Sequence, residues 1–155
     1  MNNSRPTIPQ VLSAGAVVLS LVFVGIEISQ NTAAQRAQTR QALADAAQEF
    51  AMTLAGDAEL ARAWDLMWRA NPDDIHLTPV DTLRASMAMT AQLRRLENVF
   101  LQSREGVVSA DVLSTYGFGG SPFYRSDVFR SFWNVSSSGF DTAFVRAFAV
   151  ANGLN

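Results

Sequence analysis

Residues 8–28, IPQVLSAGAVVLSLVFVGIEI, form an almost unbroken apolar run. At ~1.5 Å per residue, about twenty residues reach across roughly 30 Å, the hydrocarbon thickness of a bilayer. A run of this kind must be covered by lipid, buried in a protein core, or removed by cleavage. A cleaved leader has a positive start, an apolar stretch of roughly 7–15 residues and a small-residue cleavage site. Arg5 supplies the positive start, but the apolar run is longer. The nearest small-residue site, Thr32-Ala33-Ala34, follows the polar Ser29-Gln30-Asn31. A core helix of a soluble protein rarely stays apolar for ~18 residues. The expected reading is one transmembrane helix. It divides the chain into a short tail (1–7), the span (8–28) and a helical soluble-side domain (29–155). Arg5 precedes the span and Arg36 and Arg40 follow it, so the positive-inside rule leans towards a cytoplasmic C-terminal body.

Composition then narrows the chemistry. About 125 residues remain beyond the span, enough for one modest core. The net charge of −2 gives no basic field for nucleic acid. All twelve basic residues are arginine, which reads as codon or lineage bias. The absence of cysteine excludes disulfides, thiolate catalysis, iron–sulfur clusters and cysteine-ligated zinc. His76 is the single histidine, so a histidine-rich metal centre or a histidine-dependent triad has one residue to draw on. No cofactor is expected.

Glu27 is the one ionisable residue in the span. Its place near the C-terminal end lets the carboxylate reach the headgroup region, which by itself accounts for it. A second reading rests on spacing. Ser13, Ala16, Ser20, Phe23 and Glu27 recur at steps of three and four, and Gln30, Ala34, Ala37 and Gln41 continue the series. Such steps line one seam of a helix. Small and polar residues on a seam favour helix association in lipid. Ser13, Ala16, Ser20 and Glu27 are therefore the expected association residues.

The remaining chain reads as helices throughout. From Ser29 to Leu54 there is neither proline nor glycine, and Leu43, Ala47, Phe50 and Leu54 keep helical spacing, so the span is expected to continue to Gly56. Asp57 is the expected N-cap of a helix over 58–70, whose apolar face holds Leu60, Trp64, Met67 and Trp68. Both tryptophans are expected in the core. Asn71-Pro72-Asp73-Asp74 breaks the chain. Thr78-Pro79-Val80-Asp81 starts a central helix to about Glu105, with Leu83, Met87, Leu93, Leu96, Val99, Phe100 and Leu101 on its apolar side. Gly106 ends it, and Ser109 with Asp111 opens a short helix through Tyr116. A helix from Pro122 to Trp133 and a last one opened by Ser138-Gly139-Phe140-Asp141 complete the body. The last carries Phe140, Phe144, Phe148 and Ala151 on one face. No stretch alternates with period two, so the fold class is all-α: a span followed by a small helical bundle.

Four groups of residues invite functional readings. Asp73, Asp74 and His76 form a D-D-x-H cluster that suits a divalent ion as well as a solvated loop. The loop Gly117-Phe118-Gly119-Gly120 precedes an expected helix, as phosphate cradles do. However, no strand comes before it and no lysine follows, so it reads as a turn. Arg94, Arg95, Glu97, Asn98 and Arg104 make a polar network on the central helix; it serves either helix packing or a carboxylate-based site. The aromatic residues from Phe129 to Phe148 read as core, with a partner or membrane patch as the alternative.

Several of these stretches together resemble a group of small bacterial single-pass membrane proteins. Leu21-Val22-Phe23-Val24-Gly25-Ile26-Glu27-Ile28-Ser29-Gln30-Asn31-Thr32 is similar to the end of that group's membrane helix, which usually reads Y-L-A-x-Q-I-R-Q-N-T. Arg95-Leu96-Glu97-Asn98-Val99-Phe100-Leu101-Gln102-Ser103-Arg104-Glu105-Gly106 is similar to its central helix, and the aromatic C-terminal helices match in kind. The resemblance implies an architecture, with the span in the bacterial inner membrane and a helical cytoplasmic body, and it implies no activity. Where the group has Gln-x-Arg this chain has Glu27-x-Ser29, which removes a positive charge from the inner side.

Three functions follow as expectations. The first is a non-enzymatic anchored protein that self-associates as a homo-oligomer or serves as a subunit beside other membrane proteins. The second is a sensor that binds a ligand between helices and requires a cavity of roughly 300 Å³ or more. The third is an enzyme centred on Glu97, which requires a pocket holding that carboxylate.

Overall fold

The structure, a computed structural model, describes residues 8–68 and 77–154. The expected tail at 1–7 and the Asp73, Asp74 and His76 cluster lie outside the described residues. The described chain is all-α: six helices, with no strand among the described residues. It falls into two compact units, divided between Gln38 and Thr39.

The first helix, α1, runs Ile8–Gly56 and ends at the glycine, as its composition dictates. In the first unit it is a bare helix. Every side chain from Gly15 to Gln38 is exposed, including Leu19 at 72% and Phe23 at 60%. α1 is the one helix among the described residues that is long and apolar enough to cross a membrane. The second compact unit begins at Thr39. The intervening side chains are all exposed, and Leu43 is the first buried one, at 2%.

Within the second unit, Asp57 opens α2 (Ala58–Trp68) as expected: its Oδ1 accepts from the backbone N–H of Glu59 and of Leu60, both at 3.0 Å. α3 (Pro79–Arg104) starts with a complete capping box, Thr78 and Asp81 each bonding the other's backbone N–H. It is the central helix. Ala85, Met89, Leu93, Leu96 and Val99 are fully buried on it. Leu83 and Met87, expected on the same apolar side, are instead exposed at 58% and 60%. At ~100° per residue they fall on the flank of the buried stripe, where they line open grooves instead of closed core.

α4 (Val112–Thr115) is a single turn. The glycine loop follows, with Gly117 and Gly120 at φ +75° and +85°, a region that only glycine enters without strain. A 3₁₀ turn, Pro122–Arg125, stands where a helix to Trp133 was expected. The helix itself, α5 (Asp127–Ser136), begins later, because the Ser126 hydroxyl accepts from Phe129 N–H and caps it there. α6 (Thr142–Asn152) is capped by Asp141, which bonds two backbone N–H groups, and not by Ser138. Ser137–Gly139 is a 3₁₀ turn, which leaves Ser138 too far upstream to cap.

The aromatic residues form the core. Phe129, Phe144 and Phe148 are fully buried, and Phe118, Phe123, Trp133 and Phe140 nearly so. Fully burying such a side chain contributes about 1.5–3 kcal/mol. Phe144 and Phe148 pack at 5.4 Å, and Trp133 meets Phe148 at 5.1 Å. Asn152, not Ala151, takes the last buried position on α6. Its amide donates to the carbonyls of Phe118 and Phe148 and so ties the glycine loop to the helix end. The two tryptophans of α2 sit further out than expected. Trp64 is half-buried and Trp68 is 41% exposed, though Trp68 stacks on Phe123 at 4.2 Å.

Candidate functional site

α1 presents the expected seam in the open. Ser13, Ala16, Ser20 and Glu27 are all exposed. The Ser20 hydroxyl donates to the Ala16 carbonyl one turn back at 2.9 Å, and Thr32 bonds Ile28 in the same way. Such back-bonding removes the hydroxyl's need for a partner in an apolar medium and leaves Ser20 acting as a small side chain. The Glu27 carboxylate has no hydrogen bond or ion pair among the described residues.

On α3 the expected polar network separates into two sites, because consecutive residues point ~100° apart. The first centres on Glu97, which is 8% exposed. One carboxylate oxygen accepts from Arg94 at 2.7 Å and the other from the Asp141 backbone N–H at 2.5 Å. Arg94 also donates to the Gly139 carbonyl at 2.7 Å and lies over the Phe140 ring. Arg104 stands at the edge, 4.0 Å from Asp141. The group ties α3 to the start of α6, and both Glu97 oxygens are occupied in doing so. Asn98 is exposed and takes no part. The sequence names Asp141 at the start of the last helix but not its bond to Glu97, since no side-chain pattern marks a backbone donor.

Arg95 belongs elsewhere. It lies on the opposite flank of α3, its guanidinium 5.8 Å from the Phe50 ring centre and 5.6 Å from that of Tyr116. Its Nε is buried without a hydrogen-bond partner. No carboxylate pairs with it among the described residues; the phenols of Tyr116 and Tyr124 act on its charge instead. Burial accordingly pushes its pKa down, against the weaker pull of the two tyrosines, and burial pushes the Tyr124 hydroxyl up.

Two grooves flank α3. The first, about 580 Å³, lies between the end of α1 and α3. Ala46, Phe50 and Leu54 face Leu83, Met87, Ala88 and Ala91 across it, with Leu60 at one end. Its charged residues are Glu49 and Asp57, plus Arg84, which is held by Glu59. The second, about 470 Å³, lies between α3 and α5, floored by Met67, Phe132 and Val135 and edged by Thr82, Ser86, Thr90 and Ser131. Sequence periodicity missed both grooves, because an exposed Leu83 or Met87 has the same spacing as a buried one.

A further ion pair lies at the start of α3. Asp81, almost wholly buried, accepts from Arg62 at 2.5 Å and from the Thr78 hydroxyl at 2.8 Å. These bonds, the one from Arg62 first, lower its pKa to about 2. The glycine loop serves packing: a side chain at Gly119 would come within 3.2 Å of the Ala151 Cβ. Among the described residues, no three histidine, aspartate or glutamate side chains cluster as metal ligands do. Comparison with known protein families, with curated proteins and with solved structures finds no match to the chain.

Proposed function

We propose that this protein is a non-enzymatic, membrane-anchored helical protein of the bacterial inner membrane, with a cytoplasmic body. It works by assembling through its span with copies of itself, or with other membrane subunits. The observation that carries this reading is the bare first unit. A helix with Leu19, Leu21, Phe23 and Ile28 all more than half exposed needs an apolar surrounding. Lipid suits most of that surface. It is a poor solvent for Glu27, whose carboxylate lacks a partner among the described residues, and a facing helix supplies both a polar neighbour and close packing against Ala16 and Ser20.

The test is to extract the protein in mild detergent and measure the native mass of the particle. A small multiple of 16.8 kDa, reduced by Glu27→Ala or Ser20→Leu, is the expected result. A larger particle holding other chains supports the accessory-subunit form. A monomer in detergent and in lipid alike overturns both.

A further inference from the structure

We propose that Asn152-Gly153 is a self-modifying site: when the end of α6 opens the asparagine deamidates, and the product cannot re-form the bond to the glycine loop. This is the one Asn-Gly pair in the chain. Glycine after asparagine leaves the backbone nitrogen unshielded, since no Cβ stands beside it. That nitrogen attacks the Asn152 Cγ. The new C–N bond closes a five-membered succinimide, and the side-chain nitrogen leaves as ammonia with the proton from Gly153. Water then opens the ring at either carbonyl and gives aspartate or isoaspartate. Water is the only co-reactant, and nothing is oxidised or reduced.

The fold holds both reacting groups while the helix end is closed. Asn152 is fully buried, and its amide nitrogen donates to the Phe118 carbonyl at 3.0 Å and to the Phe148 carbonyl at 2.9 Å. The nucleophile, the Gly153 N–H, donates to the Ala149 carbonyl, with Gly153 in the left-handed region at φ +65°. Fraying of the last turn of α6 frees the two together. Helix ends open more readily than the core they pack on. This one also carries a standing desolvation cost, because the Asn152 Oδ1 is buried without a hydrogen-bond partner among the described residues. The product differs from asparagine at the atoms that make the clasp. A carboxylate at 152 turns oxygen towards both carbonyl oxygens, and a buried charge without donors is unstable there. The Phe118 ring packs on Phe144 and Phe148 at 5.9 and 5.4 Å, and the Asn152 bond ties its backbone to α6. Conversion therefore releases the glycine loop in one direction only.

The full-length protein in mild detergent is to be aged at neutral pH beside the same chain unfolded in guanidinium. Peptide mass spectrometry with isoaspartate detection follows position 152 in both. The unfolded chain should convert at Asn152, whereas Asn98 and Asn134, each followed by a branched valine, should not. The folded protein should convert about thirtyfold more slowly, the scale of two hydrogen bonds broken in one opening. Arg130→Gln removes the 3.2 Å bond to the Gly153 carbonyl and leaves the Asn-Gly pair intact. It should speed the folded rate about threefold and leave the unfolded rate unchanged. Asn152→Asp stands in for the product. Hydrogen exchange at residues 117–120 and 148–154 should rise about tenfold in it, with circular dichroism checking that the body stays folded. Equal rates in the folded and unfolded chains would show that the fold does not gate the site and would overturn the proposal. A folded protein that stays unconverted throughout, with or without Arg130→Gln, would overturn it too. Unchanged exchange in Asn152→Asp would remove the one-way release. None of these readouts depends on the native mass of the assembly, so this proposal and span association fail separately.

Discussion

Glu97 and Arg95 stand two residues apart on α3, both withdrawn from bulk water, and the body treats them in opposite ways. Glu97 sits opposite a helix start, where a backbone N–H and Arg94 give each of its oxygens a donor. Arg95 sits among rings, its Nε unbonded and no carboxylate paired with it among the described residues. A buried charge is tolerable when every polar atom around it is satisfied; otherwise its burial is a cost that remains open. The first arrangement is complete within the chain and explains itself as packing. The second is incomplete among the described residues.

The largest effect expected from this contrast is at Glu97. Glu97→Leu keeps the volume roughly constant but strands the Asp141 N–H at the start of α6 and releases Arg94. The loss is about 2–3 kcal/mol, below the full value for a buried pair because Arg94 is half exposed. Denaturant unfolding of the full chain, followed by tryptophan fluorescence, measures it. An unchanged midpoint would mean that α6 is held by its phenylalanines alone, and the contrast with Arg95 would collapse.

Which parts of this were legible in the sequence follows the same division between local and non-local causes. The cap at Asp57, the capping box of Thr78 and Asp81 and the stops at Gly56 and Gly106 are local bonds, and residue type plus spacing finds them. Ser126 is a local cap too, but Pro122 offers an earlier start and masks it. Ser138 competes with Asp141 in sequence because S-x-x-D also satisfies the capping pattern. Side-chain partners are set by how helices meet, so the grouping of Arg94, Arg95, Glu97, Asn98 and Arg104 by proximity in sequence merged two sites that face apart. Leu83 and Met87 illustrate the same limit: helical period fixes a face, and only the neighbouring elements decide whether that face is covered.

Asp81 extends the comparison to a third charge, satisfied in the manner of Glu97, and pH reads it directly. Its folded pKa of about 2 lies below the ordinary aspartate value of 3.8. The stability it contributes is therefore fully present above about pH 4 and is lost as pH falls towards 2. Asp81→Asn should lower stability at neutral pH and flatten the dependence between pH 4 and 2. Thermal melts of both proteins across that window test this. Parallel curves would mean that the Arg62 pair forms no differently in the folded and unfolded chains.

The smallest expected effect has the opposite sign. Arg95→Met replaces the unpaired guanidinium with an uncharged side chain that packs against Phe50 and Tyr116. The cation–ring contacts it gives up are long, at 5.8 and 5.6 Å, and worth ~0.5–1 kcal/mol at most. Relief of the desolvation cost outweighs them, so the protein should gain up to about 1 kcal/mol. The measurement is a thermal melt of delipidated protein against Arg95→Met. A gain in stability at a residue placed beside a groove would mark Arg95 as a group kept for something other than folding. A loss comparable to that of Glu97→Leu would make it a second structural clasp, and the difference between the two flanks of α3 would then lie in their partners alone: hydrogen-bond donors on one side, aromatic rings on the other.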